Sequence, residues 1–196
     1  AWSGAQLACF SAHKIGGPKG VGALIVRDGF DIAPLMLGGG QELGRRSGTE
    51  NLAGIAGFGA AAEAAAADLD HGVWEDVRAK RDFLEATLED DAPDTIFVGK
   101  AERRLPNTTC FATPGWSSST QVMQMDLGGF AISAGSACSS GKVRESRVLR
   151  AMGYDAAVAQ SAVRVSIGPQ TTREDVAGFA ECWLRQLRRF EQKRAA

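Results

Sequence analysis

The sequence predicts an α/β fold, and two observations carry that prediction. Short apolar and β-branched runs alternate with longer helical patterns along the 196 residues. Glycine-rich turns, drawing on 24 glycines, separate many of them. Hydrophobic content of 44% and charged content of 23% are those of an ordinary globular protein, long enough for one large or two small domains. A net charge of -1 supplies no basic field, so nucleic acid is not an expected partner. No apolar run approaches the roughly 20 residues of a membrane helix, so no membrane contact is expected. No basic segment followed by a long apolar core marks a secretory leader.

Taken in order, the apolar run Gln6 to Phe10 reads as a strand, and a second run leads out over Gly22 to Val26. Between them lies Ser11-Ala12-His13-Lys14-Ile15-Gly16-Gly17-Pro18-Lys19-Gly20-Val21. A strand ending in such a turn exposes backbone N–H groups and makes a seat for an anion. Lys14 would then stand where a strand end meets a phosphate-sized pocket. That is the position from which a lysine forms a Schiff base with pyridoxal phosphate, a phosphorylated aldehyde. The same stretch read by itself is equally a glycine-rich surface turn with two solvated lysines.

A turn at Asp28-Gly29 and an apolar segment, Ile32 to Leu37, lead to a second glycine-rich loop, Gly38 to Asn51, with Arg45 and Arg46 adjacent. Its Ser/Thr/Glu/Asn ending is helix-start chemistry. An alanine-rich helix is expected from about Glu50 to Leu69, its small residues suited to close packing. Asp70-His71-Gly72 interrupts it; His71 reads as a solvated helix-end residue without a role. Val73 to Leu88 reads as a second helix with Val73, Val77, Phe83, Leu84 and Leu88 inward, and Glu75, Asp76, Arg78, Lys80 and Arg81 largely outside.

Ile96 to Val98 and Thr108 to Ala112 read as strands, and Ser117 to Leu127 as a serine-capped helix whose apolar side is Val122, Met123 and Leu127. Phe130 to Ser133 reads as a strand, Ser146 to Met152 as a short helix and Ala162 to Ile167 as a strand. Thr171-Thr172-Arg173-Glu174-Asp175 opens the final helix with a capping arrangement.

Four cysteines are widely scattered with no C-x-x-C pair, so no metal site is expected, and a reducing cytoplasm is the natural compartment. Cys9, Cys110 and Cys182 sit among apolar neighbours and are expected to be buried. Cys138 lies instead in a glycine, serine and alanine loop. There it is either a nucleophile, its thiolate favoured by Lys142, Arg144 and Arg147, or an incidental cysteine in a turn. In Val163-Arg164-Val165-Ser166-Ile167 the alternation turns Arg164 away from the buried face. It faces either solvent or a cleft, where it could clamp a carboxylate.

Together Ser11-Ala12-His13-Lys14 with Gly17-Pro18-Lys19-Gly20, Gly38-Gly39-Gly40-Gln41-Glu42 with Arg46-Ser47-Gly48-Thr49, Ser136-Ala137-Cys138-Ser139-Ser140-Gly141, and Arg164-Val165-Ser166-Ile167-Gly168 resemble the cysteine desulfurases. These are pyridoxal 5'-phosphate enzymes of the class V aminotransferase group. The cysteine loop, continued by Val148-Leu149-Arg150-Ala151-Met152-Gly153, resembles the group I branch, the nitrogenase and iron–sulfur-assembly type.

The resemblance implies fold type I of the pyridoxal-phosphate transferases. Residues 1–66 would be the C-terminal part of the large cofactor domain, and residues 67–196 the small α/β domain with the cysteine loop. It implies that Lys14 holds the cofactor and moves protons, that Ser11 and His13 bind its phosphate, and that Thr49 reaches the phosphate of a neighbouring subunit in a homodimer. Arg164 would bind the carboxylate of L-cysteine. Cys138 would take its sulfur as a persulfide, releasing alanine, and pass the sulfur to an iron–sulfur scaffold or another acceptor protein. Lys14 and Cys138 would therefore meet at one cofactor ring.

The family's acidic partner for the ring nitrogen lies upstream of the lysine, and the thirteen residues before Lys14 include no acid. The chain thus reads as the C-terminal portion of such an enzyme, expected to bind the cofactor poorly by itself. A related lyase, acting on selenocysteine for example, and a non-catalytic remnant or binding module of the same fold are the alternatives.

Overall fold

A computed structural model describes residues 4–135 and 145–195. The chain divides into two compact units, Ala1–His71 and Gly72–Ala196.

In the first unit, β1 (Leu7–Ser11) pairs antiparallel with β2 (Gly22–Val26), from Leu7 opposite Val26 to Ser11 opposite Gly22. A single 3-10 turn, Ala12–Lys14, follows β1 directly. Helix α1 (Leu52–Asp70) closes the unit, and Asn51 caps it by accepting a hydrogen bond from the Gly54 amide at 3.1 Å. Among the described residues of this unit only Ala12 and Gly54 are buried. Cys9, expected inside, is exposed because no layer covers the two-stranded ribbon among the described residues.

The expectation about apolar runs also needs correcting. Helix α1, 19 residues with a mean hydropathy of 1.3 over its best window, is by length and composition apolar enough to cross a membrane. The hydropathy comes from nine alanines together with Leu52, Ile55, Phe58 and Leu69, and Glu63 and Asp68 break the apolar run in the sequence.

The second unit begins with α2 (Val73–Asp91) and contains one sheet among the described residues. Its strands are β3 (Ile96–Phe97), β4 (Thr108–Ala112), β5 (Ser133–Ala134) and β6 (Ala162–Ser166), in the order β3-β4-β6-β5, each pair antiparallel. Helices α3 (Ser118–Leu127), α4 (Arg147–Ala151), α5 (Ala156–Ser161) and α6 (Arg173–Ala195) complete it. Period-two alternation gives the sheet two faces. Phe111, Val163 and Val165 pack with Leu84 and Leu88 of α2 and Phe179, Trp183 and Leu187 of α6. On the opposite face Ala112 and Ala162 are covered by Leu149, Val158 and Ala159 from α4 and α5. The strand expected at Phe130–Ser133 pairs only at Ser133–Ala134. Helix α5 was not anticipated; Asp155 caps it by accepting from the Val158 amide at 2.8 Å.

Two polar side chains are buried against the sequence expectation. Helix α3 turns Gln121 and Met125 inward, while Met123 and Leu127 are 58% and 82% exposed. The reason is hydrogen bonding. The Gln121 amide nitrogen donates to the carbonyls of Trp116 at 2.9 Å and Ser161 at 2.8 Å, and its oxygen accepts from the Trp183 indole at 3.1 Å. On α2, Arg81 is buried, not outside, because it donates to Asp82 and to the Leu105 carbonyl, each at 2.8 Å. One turn on, Glu85, 1% exposed, accepts two bonds from Arg104 at 2.7 and 2.6 Å. Burial pushes the Glu85 carboxyl up, but hydrogen bonding and the charges of Arg104 and Arg81 outweigh it and hold the group below its usual range.

Replacing Gln121 by Leu should destabilise the chain by about 2–4 kcal/mol, since three buried polar partners lose their bonds at once; denaturant titration measures it. Because the Glu85 pKa is depressed on folding, its contribution is full above the ordinary glutamate range and is lost as pH falls through the folded value. Glu85→Gln should therefore cost about 2–4 kcal/mol at neutral pH and flatten the acid limb of a melting-temperature profile.

Candidate functional site

The loop after β1 is held from below by its own backbone. Ala12, fully buried, donates its amide to the Val21 carbonyl at 3.1 Å, and its carbonyl accepts from Ile15 at 3.0 Å and Gly17 at 2.9 Å. Gly16 and Gly20 adopt φ of 86° and 81°, which glycine takes without steric cost. Gly17 leaves no room for a side chain: an added Cβ would lie 3.0 Å from the Ala12 Cβ and 3.2 Å from that of Ala61 in α1. At Gly57 of α1 an added Cβ would come within 2.6 Å of Pro18. The small residues of α1 thus seat the loop at van der Waals distance.

That seat leaves Ser11, His13 and Lys14 exposed within four consecutive residues. Among the described residues none of the three spends its side chain on a hydrogen bond or ion pair. A hydroxyl, an imidazole and a primary amine at a strand end, beside backbone amides of a glycine turn, are a donor set that fits a phosphorylated aldehyde.

The second glycine-rich loop is braced internally. Ser47 donates to the Gly39 carbonyl at 2.9 Å, the Gly48 amide to Gln41 at 3.4 Å, and Arg46 to the carbonyls of Gly48 at 2.8 Å and Thr49 at 3.2 Å. The Arg46 guanidinium thereby fixes the backbone that presents Thr49. Sequence reasoning noticed the adjacent arginines but missed this bracing, for which a cation in a glycine-rich loop was the available signal. Glu42 and Leu43 take left-handed φ of 51° and 57°, a strained pair that the surrounding bonds hold.

In the second unit, Arg164 projects from the face of the sheet opposite Val163 and Val165 and is exposed. Cys110 of β4 and Ser133 of β5 stand directly across from it on either side. Cys110 is half-buried rather than buried as expected; burial pushes its thiol up, against the lowering pull of the Arg164 charge. Cys138 and its neighbours Lys142 and Arg144 lie outside the described residues. So does the expected meeting of Lys14 with Cys138. The structure brings Ser11, His13 and Lys14 together on one loop and sets Arg164 in a polar row on the other unit's sheet. His71 is exposed at the end of α1.

The family described as Aminotransferase class-V matches residues 2–179. A cysteine desulfurase of Cereibacter sphaeroides is 43% identical over 171 residues, covering 87% of this chain and 43% of its own length. The cysteine desulfurase NifS of Azotobacter vinelandii is 42% identical over 164 residues, covering 84% of this chain and 40% of its own. The crystal structure of a NifS-like protein from Rickettsia africae superposes with a TM-score of 0.80 at 34% identity, over 93% of this chain and 47% of that one. The chain therefore spans less than half the length of the curated relatives it matches, and the type I fold of that family is its fold.

Gly57→Val should drive Pro18 off α1 and loosen the Lys14 loop at a cost of about 1–3 kcal/mol, seen as faster amide exchange over residues 12–20. Gly59→Ala, where an added Cβ meets nothing within 4 Å, should leave that exchange unchanged and firm the helix by about 0.5–1 kcal/mol.

Proposed function

The chain belongs to the class V aminotransferase family, and from that premise we propose that it is the C-terminal portion of a cysteine desulfurase. That enzyme would convert L-cysteine to L-alanine and supply the sulfur for iron–sulfur cluster assembly. The observation that carries the reading is the Ser11–His13–Lys14 loop, seated on α1 with all three side chains unspent among the described residues. The identity to relatives bearing the cysteine desulfurase name supports it. On this reading residues 1–66 belong to the large domain and residues 67–196 form the small domain.

Pyridoxal phosphate, when bound, withdraws electrons from the substrate and makes its C–S bond breakable. Ser11 and His13 contribute a hydroxyl and an imidazole to the phosphate, and the seated glycine turn adds backbone amides. Lys14 would hold the aldehyde group through its Nζ, and the same amine would move a proton to or from the substrate. Thr49, its backbone fixed by Arg46, would reach the phosphate held by the second subunit of a homodimer. Arg164 receives the substrate carboxylate through a paired, charge-assisted hydrogen bond.

Cys138 acts as nucleophile. Its thiolate forms the new S–S bond as the substrate C–S bond breaks, the substrate carbon takes up a proton and leaves as alanine, and the enzyme keeps the sulfur as a persulfide. A soluble sulfur-acceptor protein in the cytoplasm then attacks that persulfide.

In the full-length enzyme, Lys14→Ala should remove the visible absorbance of bound pyridoxal phosphate. Cys138→Ala should retain the absorbance yet form no persulfide, and loss of cofactor there would refute its role as the sulfur-accepting nucleophile. Arg164→Gln should raise KM for L-cysteine about tenfold to hundredfold with a smaller change in kcat. A KM that stays put in steady-state assays would remove Arg164 from the substrate site.

A further inference from the structure

A charged cleft in the second unit takes no part in the chemistry above. Its volume is about 530 Å³, and it lies between α2 and the loop following β3. The helix side is one stripe, Arg78, Arg81, Asp82 and Glu85, at the i, i+3, i+4, i+7 spacing that puts side chains on one face.

Two contacts pin the facing loop to that stripe. Arg104 grips Glu85 through two bonds at 2.7 and 2.6 Å, and Arg81 reaches the Leu105 carbonyl at 2.8 Å. Glu85 and Arg81 are both more than nine-tenths buried, so the floor of the cleft is fixed before anything binds. Pre-organisation of this kind removes part of the ordering cost of association.

The mouth is different. Arg78 on the helix and Arg103 on the loop are both exposed, and neither makes an ion pair among the described residues. Lys100 stands on the same rim, paired with Glu89. With the floor charges matched internally and Lys100 matched by Glu89, the rim shows the unpaired Arg78 and Arg103 against the single carboxylate of Glu102. A chain of net charge -1 therefore presents a local positive cleft.

We propose that this cleft docks an acidic, carboxylate-rich segment of a partner protein, independently of the sulfur-transfer reading. Arg78 and Arg103 would each take one carboxylate, and their planar guanidinium groups suit such bidentate contacts. Asp82 and Glu102, interspersed in the same lining, disfavour a compact polyanion whose charge cannot be spaced around them. An extended peptide can place its carboxylates on the cations and small residues beside the acids. Charges at an exposed rim act chiefly on encounter and selectivity and weaken as salt screens them.

The test uses the purified chain and a labelled peptide of Glu alternating with Ser, followed by fluorescence anisotropy; the matched peptide of Gln and Ser is the control. The acidic peptide should bind and the Gln peptide should not, with affinity falling as salt rises. Arg78→Gln with Arg103→Gln should weaken binding about fivefold to tenfold. Arg188→Gln with Arg189→Gln, the same charge removed from exposed positions of α6, should leave it unchanged. Equal losses in the two double variants would overturn the proposal in favour of a general charge effect. Inorganic tripolyphosphate displacing the peptide at lower concentration than the unlabelled acidic peptide does would overturn it in favour of a phosphate site. Thermal melts of both variants, expected to match the parent because the four arginines are exposed, guard against loss of fold as the cause.

Discussion

The second unit depends on the satisfaction of one buried amide. Gln121 has no exposure to water, and its donor and acceptor atoms are all committed to backbone or indole partners from three segments of the chain. A buried amide without partners would be more costly than any nearby apolar contact is favourable. The bonds to Trp116, Ser161 and Trp183 therefore fix α3 relative to the entrance of β6 and to α6. Trp183 is also the centre of the aromatic packing, with Phe111 at 5.3 Å and Trp116 at 5.2 Å between ring centroids. The polar bond and the apolar core select the same indole position, so each narrows the arrangements open to the other.

From that anchored core follows the exposure of Arg164. β6 is held on one face by α2 and α6 and on the other, at its Ala162 end, by α4 and α5. The helical cover on the second face is short, and the next outward positions, Arg164 and Ser166, are left exposed. If Arg164 is the carboxylate clamp proposed above, the strand would set the direction of its guanidinium in advance, as a loop would not. The Lys14 loop is positioned differently, by close approach of small residues on α1, where the absence of side chains at Gly17 and Gly57 is the structural device.

How much of this the sequence revealed depends on whether its signal was local. The outward turn of Arg164 was legible from five residues of alternation. The capping box of α6 was legible too, and forms as expected: Thr172 accepts from the Asp175 amide at 3.0 Å and Asp175 from the Thr172 amide at 2.9 Å. The burial of Arg81 and Glu85 was not legible, because Leu105 and Arg104, which satisfy them, are about twenty residues away in sequence. Gln121 misled the reading of α3 for the same reason: a polar residue counts as outward until its distant partners are known. Helix α5 is six residues of mostly small side chains, too short to establish a period, and only its Asp155 cap announced it. Cys9 looked buried because its neighbours are apolar, but apolar neighbours in a two-stranded ribbon bury nothing without a second layer.

The first unit's near-total exposure has a calorimetric consequence. The heat-capacity increment of unfolding scales with the apolar surface that folding hides. Here Leu35 and Leu43 are 99% and 95% exposed, and among the described residues before Gly72 only Ala12 and Gly54 are buried. On warming, the excess heat absorbed by this chain would come almost wholly from the unit built around Trp183, while the segment bearing Lys14 would melt gradually, without a peak of its own.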